Sequence, residues 1–338
     1  MMKVNTLTGY SFIFILFIFC HHIGIYPGGG SLGVSLFFIL GGAKMCFGYG
    51  ERVESQEFHY GSYLKKRLTK FYPVHWLTLV IAILISIPVT VNSDYIIRLA
   101  LNAGLLHSWV PIGRFYLSFN SVSWYLANTV FFTAAFPFVY NIVKCNWKLV
   151  GGVYLILYVF LILFLPKTLY HAILYIFPLV RLGDFIVGIL IGLLVKELVK
   201  RKEVEEWCKT KIHILVLTEI IALLCCMAIS FYISKSALVH VSVLYWFPAI
   251  VFFVSICLRG TYKTFRIEPL FNWLGSLTFA FFMCHTLCIK FFNPYFKDLG
   301  VNDIIRGGLL LFISVMVAIV IHYWFEKPID GLIKRVLI

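Results

Sequence analysis

Charged side chains are scarce in this chain. They make up 13% of its 338 residues, whereas hydrophobic residues make up 61%. Soluble domains contain about a quarter charged residues, so this shortage excludes an ordinary soluble protein. The composition predicts an integral membrane protein, with one membrane domain over residues 1–338 and no appended soluble domain.

Acidic residues are scarcer than basic ones: 15 Asp and Glu against 29 Lys and Arg, a net charge of +14. Such an excess could indicate nucleic-acid binding, but the positions of the charges argue against it. Most Lys and Arg fall on one side of the predicted spans, which is the positive-inside pattern and places both termini in the cytoplasm. No nucleic acid is expected as a partner. Two basic residues lie within the predicted spans, Lys44 and Arg181. Seven lie on the predicted external side of the membrane: Arg98, Arg114, Lys167, Lys235, Lys290, Lys297 and Arg306.

The chain also lacks cysteine and histidine motifs for metal binding. Its nine cysteines contain no CxxC pair, and most sit in hydrophobic segments as small apolar side chains. No small-residue cleavage site follows the first apolar run, so that run is expected to be the first transmembrane helix rather than a signal peptide. We therefore expect no metal cofactor and no disulfide framework.

Long apolar segments make up most of the sequence. A helix needs roughly 17–25 apolar residues to cross the bilayer core. The pattern predicts an all-α polytopic bundle of about ten transmembrane helices in contact with lipid; the oligomeric state stays open. The predicted spans are 8–26, 31–50, 71–92, 121–143, 149–165, 171–196, 212–233, 237–258, 268–290 and 303–325.

A histidine pair, His21 and His22, closes the first apolar run, and glycines 28–30 follow. An ionisable group at the end of a span is costly and indicates a function, and histidine transfers protons near neutral pH. A lone histidine here would usually be hydrogen-bonded at the interface, but nearby glycines let a ligand approach the backbone. The two side chains point about 100° apart on a helix, so at most one faces a given cavity. We favour His22 as general base, with His21 as the second catalytic candidate.

A basic block precedes the third span and contains Lys65, Lys66, Arg67 and Lys70. It could be a cytoplasmic anchor that follows the charge rule. Alternatively, clustered basic residues at a helix start hold phosphates through charge-assisted hydrogen bonds. Arg67 and Lys70 are three apart and share a face if helical, and Pro73 suits the first turn of the following helix.

Several polar residues lie inside the later spans. Arg181 and Asp184 can pair at i,i+3, either as a structural ion pair or with Arg181 orienting a substrate oxygen. Glu219 has no obvious local partner, and Lys44 is one candidate on another helix. Two further polar positions are His285, which alone would usually be a satisfied interior histidine, and Glu326 at the end of the last span.

Taken together, the sequence resembles the bacterial acyltransferase-3 family of integral membrane proteins, over nearly its whole length. Seven segments occur in the family's order: Leu7-Thr8-Gly9 with His22, residues 33–42, Arg67 to Pro73, Trp124-Tyr125-Leu126 with Pro137, residues 181–188, residues 275–285 and Phe325-Glu326-Lys327-Pro328.

The chain departs from the family pattern at several positions. Ser11 stands where the family usually has an arginine eleven residues before the histidine, and Ser35 stands where an acidic residue is usual. Lys70 replaces an arginine, which keeps the charge but loses the bidentate fork. The candidate residues for orienting or binding the substrate are Ser11, Ser35, Trp124, Arg181, Asp184, His285 and Glu326.

The resemblance implies a membrane O-acyltransferase of the bacterial cytoplasmic membrane. It would move an acyl group, with acetyl preferred, from cytoplasmic acyl-CoA to a hydroxyl of a surface glycan or its lipid-linked precursor. His22 would be the base, and the basic block would bind the CoA phosphates. Acylation of a small molecule or lipid stays open, as does a glycan or anion transporter, although no internal repeat supports transport.

Overall fold

The computed structural model describes residues 4–87, 90–262 and 268–337, and the regular elements in these ranges are all helical. This confirms the all-α prediction. Shorter 3₁₀ turns lie at His107–Trp109, Lys167–Leu169 and Ala237–His240, and π-helical segments at His171–Ile176 and Ile321–Glu326. The helices are α1 Val4–His22, α2 Gly29–Val53, α3 Tyr60–Leu68, α4 Tyr72–Ile85, α5 Ser93–Ala103, α6 Gly113–Tyr116, α7 Ser123–Phe164, α8 Pro178–Leu198, α9 Lys202–Thr210, α10 Ile212–Ile233, α11 Val243–Tyr262, α12 Glu268–Asp298, α13 Asp303–Val320 and α14 Lys327–Leu337.

In the described ranges, eight helical segments are long and apolar enough to cross a membrane, and Leu7–His22 is a shorter apolar helix. Two predicted spans, 121–143 and 149–165, fall in the single 42-residue helix α7. At 1.5 Å per residue, α7 is roughly twice as long as a bilayer core is thick. Its backbone is non-helical at Asn146, with φ −133° and ψ 41°. Each of the ten predicted spans therefore has a helical counterpart.

The start of the predicted span 171–196 was wrong. Residues His171–Ile176 form a π-helical segment, Phe177 is extended, and α8 begins at Pro178. Proline disfavours the helical conformation in the residue before it, and its own missing N–H is tolerated in a first turn. The second rule also applies at α4, where Pro73 occupies the first turn as predicted, although Tyr72 before it is already helical.

The chain divides into two compact units. Unit 1 comprises Met1–His21, Tyr26–Phe58 and Ala134–Ser276, and unit 2 comprises His22–Ile25, His59–Thr133 and Leu277–Ile338.

Close helix packing dominates unit 1. A Cβ atom added at Gly42 of α2 would overlap the carbonyl oxygen of Phe185, and one at Gly188 of α8 would overlap that of Ile39. Small residues let two helix backbones approach, which is a common way to pack helices in membranes. This contact brings Ser35 of α2 against Arg181 of α8.

Unit 2 has a buried polar network between α4, α5 and the start of α7. His75 Nε2 donates to the Asn102 carbonyl oxygen at 2.9 Å, and the Asn102 amide donates to the Ser118 carbonyl oxygen at 3.0 Å. His107 Nε2 lies 3.1 Å from the Ser123 hydroxyl. These side chains are buried, and the network gives each of them at least one hydrogen bond, which lowers the cost of burying their polar groups.

Candidate active site

The end of α1 places His22. The helix stops at this residue, and Gly24 follows with φ +81°, a left-handed conformation typical of the glycine that ends a helix. His22 is exposed, whereas His285 on α12 is fully buried. His285 Nε2 lies 3.3 Å from His22 Nδ1. Two residues that the sequence treated separately are thus brought together.

The partners of His285 fix the tautomer of both rings. Its Nδ1 lies 3.2 Å from the Phe281 carbonyl oxygen and 2.9 Å from that of Phe282. Carbonyl oxygens only accept, so Nδ1 carries the proton, and in the neutral ring Nε2 is an acceptor. His22 Nδ1 then donates to it, which leaves Nε2 of the neutral His22 ring without a proton. A histidine oriented in this way can act as a general base.

Asn120 helps to position α12 around His285. Its side-chain amide donates to the Met283 carbonyl oxygen at 2.8 Å, and its side-chain oxygen accepts from Thr286 at 3.1 Å. No local pattern in the sequence marks Asn120, since its contacts are more than 160 positions away along the chain.

A cavity of about 430 Å³ opens beside His22. This volume falls in the usual range for small-molecule sites. The lining combines the histidine with isoleucine side chains and several charged or polar groups. Its lining residues are His22, Ile23, Gly24, Ile25, Ile289, Asn293, Lys297, Asp303, Ile304, Arg306, Gly307 and Leu310.

His21 does not line this cavity; its ring packs against Gly30 in unit 1. It also interacts electrostatically with His171 and His240, whose ring centroids lie 4.9 Å apart. Burial lowers the pKa of His240 to about 4 and also lowers the pKa of His171. The expectation that only one of the paired histidines faces a given cavity agrees with this placement, and it favours His22.

The basic block lies at the junction of α3 and α4. Helix α3 ends at Leu68, and Lys70 lies in the turn before α4, so Arg67 and Lys70 belong to different local structures rather than to one continuous helix. Arg67 is half-buried, whereas Lys65, Lys66 and Lys70 are exposed.

Ion pairing distinguishes these three lysines from others predicted to be cytoplasmic. Lys144 pairs with Glu54 at 2.7 Å and Lys196 with Glu51 at 3.2 Å. Within the described ranges, no carboxylate lies within ion-pair distance of Lys65, Lys66 or Lys70. The basic block therefore presents positive charge to solvent.

Arg181 and Asp184 form the predicted ion pair, at 3.0 Å and completely buried in unit 1. Arg181 also donates to the Ser35 hydroxyl at 3.2 Å, and Trp246 donates to Asp184 at 2.6 Å. Within the described part of the chain, Nε and Nη1 of Arg181 have no hydrogen-bond partner. These two donors are consistent with the alternative in which Arg181 binds a substrate oxygen, which stays a prediction.

The suggested partner of Glu219 was wrong. Glu219 pairs with Arg259 of α11 at 2.6 Å, not with Lys44. Tyr10 completes the cluster, donating to Glu219 at 2.9 Å and accepting from Arg259 at 2.8 Å. Ser11, at the position where an arginine was expected, donates to the Thr8 carbonyl oxygen of its own helix.

The remaining two predicted residues lie in unit 2. Glu326 accepts from His322 Nδ1 at 2.8 Å within the π-helical segment. His322 was not among the predicted site residues, although its i,i+4 spacing from Glu326 is a signal for this pair. Trp124 is buried in the first turn of α7.

Among the described residues, no group of three or more His, Cys, Asp or Glu side chains could hold a metal ion. The expectation of no metal cofactor stays a prediction.

Comparisons with known proteins identify the family. A search of the curated proteins found no match to this chain, and neither did a search of the solved structures. A family model described as "acyltransferase domain", that of the acyltransferase-3 family, matches residues 12–324, which is nearly the whole chain. The matched region contains the paired histidines and the basic block. The chain therefore belongs to the acyltransferase-3 family of membrane acyltransferases.

Proposed function

We propose that this protein transfers an acyl group, preferably acetyl, from cytoplasmic acyl-CoA to a hydroxyl of a cell-surface glycan or its lipid-linked precursor. The bacterial cytoplasmic membrane is the proposed location. The observation that carries the proposal is the contact of His22 with His285 beside a cavity large enough for part of a sugar chain. Family membership favours this enzyme over a transporter.

His22 is the proposed general base. Its unprotonated Nε2 takes the proton from the acceptor hydroxyl, and the acceptor oxygen attacks the thioester carbonyl carbon. As the C–S bond breaks, the proton passes from His22 to the departing sulfur. The products are the acyl ester and CoA with a free thiol. His285 is a positioning residue, because it acts only by holding His22 in the required tautomer and orientation.

The basic block is the proposed site for the CoA phosphates. Its three exposed lysines lack ion-pair partners in the described ranges, and Arg67 can contribute a fork-shaped set of donors. The charge distribution predicts this segment on the cytoplasmic side, where acyl-CoA is present. Donor phosphates and acceptor would then bind through different parts of unit 2.

Purified protein in lipid nanodiscs, incubated with labelled acetyl-CoA and candidate glycans, tests the proposal. We expect CoA release that depends on the acceptor, together with labelled product. Release without dependence on any acceptor, or no release at all, contradicts it. Acylation of a lipid or small molecule instead of a glycan would identify the alternative enzyme.

The donor site is tested by Lys65→Gln combined with Lys70→Gln. Loss of two phosphate-binding charges should raise KM for acetyl-CoA about tenfold with little change in kcat. The matched control is Lys200→Gln together with Lys209→Gln, which removes two exposed lysines that pair with Glu197 and Glu205. An equal effect of both double variants rejects the assignment of the basic block.

A further inference from the structure

We infer that the acceptor carries a negatively charged group, a phosphate or a carboxylate, which Arg306 and Lys297 bind in the cavity beside His22. This inference rests on the proposed function, because it assumes that the acceptor hydroxyl reaches His22. It adds a charge requirement that family membership does not give.

The lining of the cavity beside His22 carries more positive than negative charge. Two cations, Lys297 and Arg306, and one carboxylate, Asp303, line it together with His22. The cavity therefore has a positive balance next to the base. Its other lining includes isoleucine and leucine side chains, which lower the local dielectric and strengthen the attraction of an anion.

Arg306 is held in place rather than neutralised. Its Nη2 lies 2.6 Å from Asp303 Oδ1, with the arginine side chain 19% exposed and the aspartate 85% exposed. An exposed carboxylate is well hydrated, so this pair contributes little Coulomb energy. A guanidinium has five N–H donors, and the ion pair engages only one nitrogen. The remaining donors suit the bidentate binding of a phosphate or carboxylate.

The position of Arg306 on α13 supports a role in binding. It lies in the first turn of the helix, where the helix dipole favours acidic residues and disfavours basic ones. The exposed i,i+3 ion pair with Asp303 offsets this cost only in part, so helix stability is a weak explanation for an arginine here. The positive end of the dipole instead adds to the potential that an anion meets in the cavity.

Lys297 contributes the second charge from the last turn of α12. A lysine there also interacts favourably with the helix C-terminus, which is the simpler explanation for its position. However, Lys297 is exposed, and in the described part of the chain it has no carboxylate within ion-pair distance. Its ammonium group is thus available to a ligand in the cavity that it lines.

The charge of the cavity can be measured without any acyl transfer. Ile25 lines the cavity and is 65% exposed, so Ile25→Cys provides a reporter thiol. Its reaction rates with an anionic and a cationic methanethiosulfonate are followed by peptide mass spectrometry in nanodiscs. The exposed native Cys145 is the reference in the same molecule. We expect the anionic-to-cationic rate ratio to be about sevenfold higher at the reporter than at Cys145, as a potential of about one kT per unit charge produces.

Added Lys297→Gln or Arg306→Gln should each lower this ratio at least twofold. Lys290→Gln is the matched control: it lies on the same helix, bonds Ser86 at 2.8 Å and does not line the cavity, so the ratio should not change. A ratio equal to that at Cys145, or one that responds equally to all three substitutions, overturns the inference.

Protection of the reporter identifies the ligand class. Methyl glucuronide, inorganic phosphate and methyl glucoside are compared at equal ionic strength, with the neutral reagent N-ethylmaleimide as the label. Protection by phosphate alone points to a phosphate of the acceptor, and protection by the glucuronide alone points to an acidic sugar; either result supports the inference. Equal protection by the glucoside, or protection by neither anion, overturns it. Since labelling requires no catalysis, a protein that passes these tests but fails to acylate contradicts only the proposed function.

Discussion

Unit 2 contains two pairs of histidines that differ in their exposure to solvent. His75 and His107 are both fully buried. His75 bonds Asn102 and His107 bonds Ser123, so each ring is part of the polar network of the core. In the other pair, His285 is equally buried, but its partner His22 is exposed and lines a cavity. What distinguishes a candidate base from a structural histidine here is access to a ligand.

The pairs also differ in what their hydrogen bonds achieve. Bonds to backbone and hydroxyl groups fix His75 and His107 within the network and stabilise the fold. The bonds of His285 to two carbonyl oxygens instead set the tautomer of a second histidine. The comparison predicts that substitutions in one pair change catalysis and substitutions in the other change stability.

The largest effect is expected for His22→Ala. Loss of the general base should lower acceptor-dependent transfer by about 10²–10⁴-fold. Because His22 is exposed, the melting temperature should change little. His213→Ala is the control, since it removes another exposed histidine, at the start of α10. A full transfer rate in the His22 variant would show that His22 is not the general base.

A smaller catalytic effect is expected for His285→Leu, which replaces the ring with a side chain that has no acceptor. Loss of the positioning acceptor should lower kcat by about 10–10³-fold, with KM for the acceptor nearly unchanged, because geometry rather than binding is lost. The pH–rate profile should also be displaced. An unchanged profile together with a lower melting temperature would make His285 a purely structural residue.

Asn102→Ala should affect stability and not catalysis. It removes the amide that binds Ser118 and leaves a buried carbonyl oxygen without this donor, at a cost of about 1–3 kcal/mol. Thermal unfolding in nanodiscs should show a lower melting temperature, and kcat measured below that temperature should stay within about twofold. A large loss of kcat in the folded variant would show that the two pairs are not separable.

The smallest effect concerns pH. Burial lowers the pKa of His107 to about 3, from an ordinary value near 6.5. Between these values the unfolded chain binds the proton and the folded chain does not, so stability is complete above about pH 6.5 and falls as the pH drops towards 3. The slope for this one group is at most about 1.4 kcal/mol per pH unit. His107→Gln should reduce the slope of unfolding free energy between pH 5 and 6; an unchanged slope contradicts the assignment.

Local sequence patterns predicted the local features of the structure. The spacing of Arg181 and Asp184 was enough to predict their ion pair, since one helix turn determines it. Apolar length placed α10 at the predicted residues 212–233. Pro73 marked the first turn of α4, whereas the restriction before Pro178 was overlooked and the start of α8 was placed too early.

Contacts between distant residues were not predictable in the same way. Glu219 meets Arg259 across 40 positions, and nothing in either local pattern favours that partner over Lys44. His22 and His285 were both singled out, but their contact joins residues 263 apart. The sequence predicted Lys297 and Arg306 only as charged residues on the external side of the membrane. In the structure both line the same cavity as His22.

The most direct test of His22 as the base is chemical rescue of His22→Ala in nanodiscs. Acceptor-dependent release of CoA is measured with saturating acetyl-CoA and acceptor, while imidazole is added. The account predicts a strongly reduced rate that imidazole restores in a saturable way, because the cavity of about 430 Å³ admits the free base. The same addition should leave the wild type and Asn102→Ala unchanged. A variant that transfers at the wild-type rate without imidazole would contradict the account.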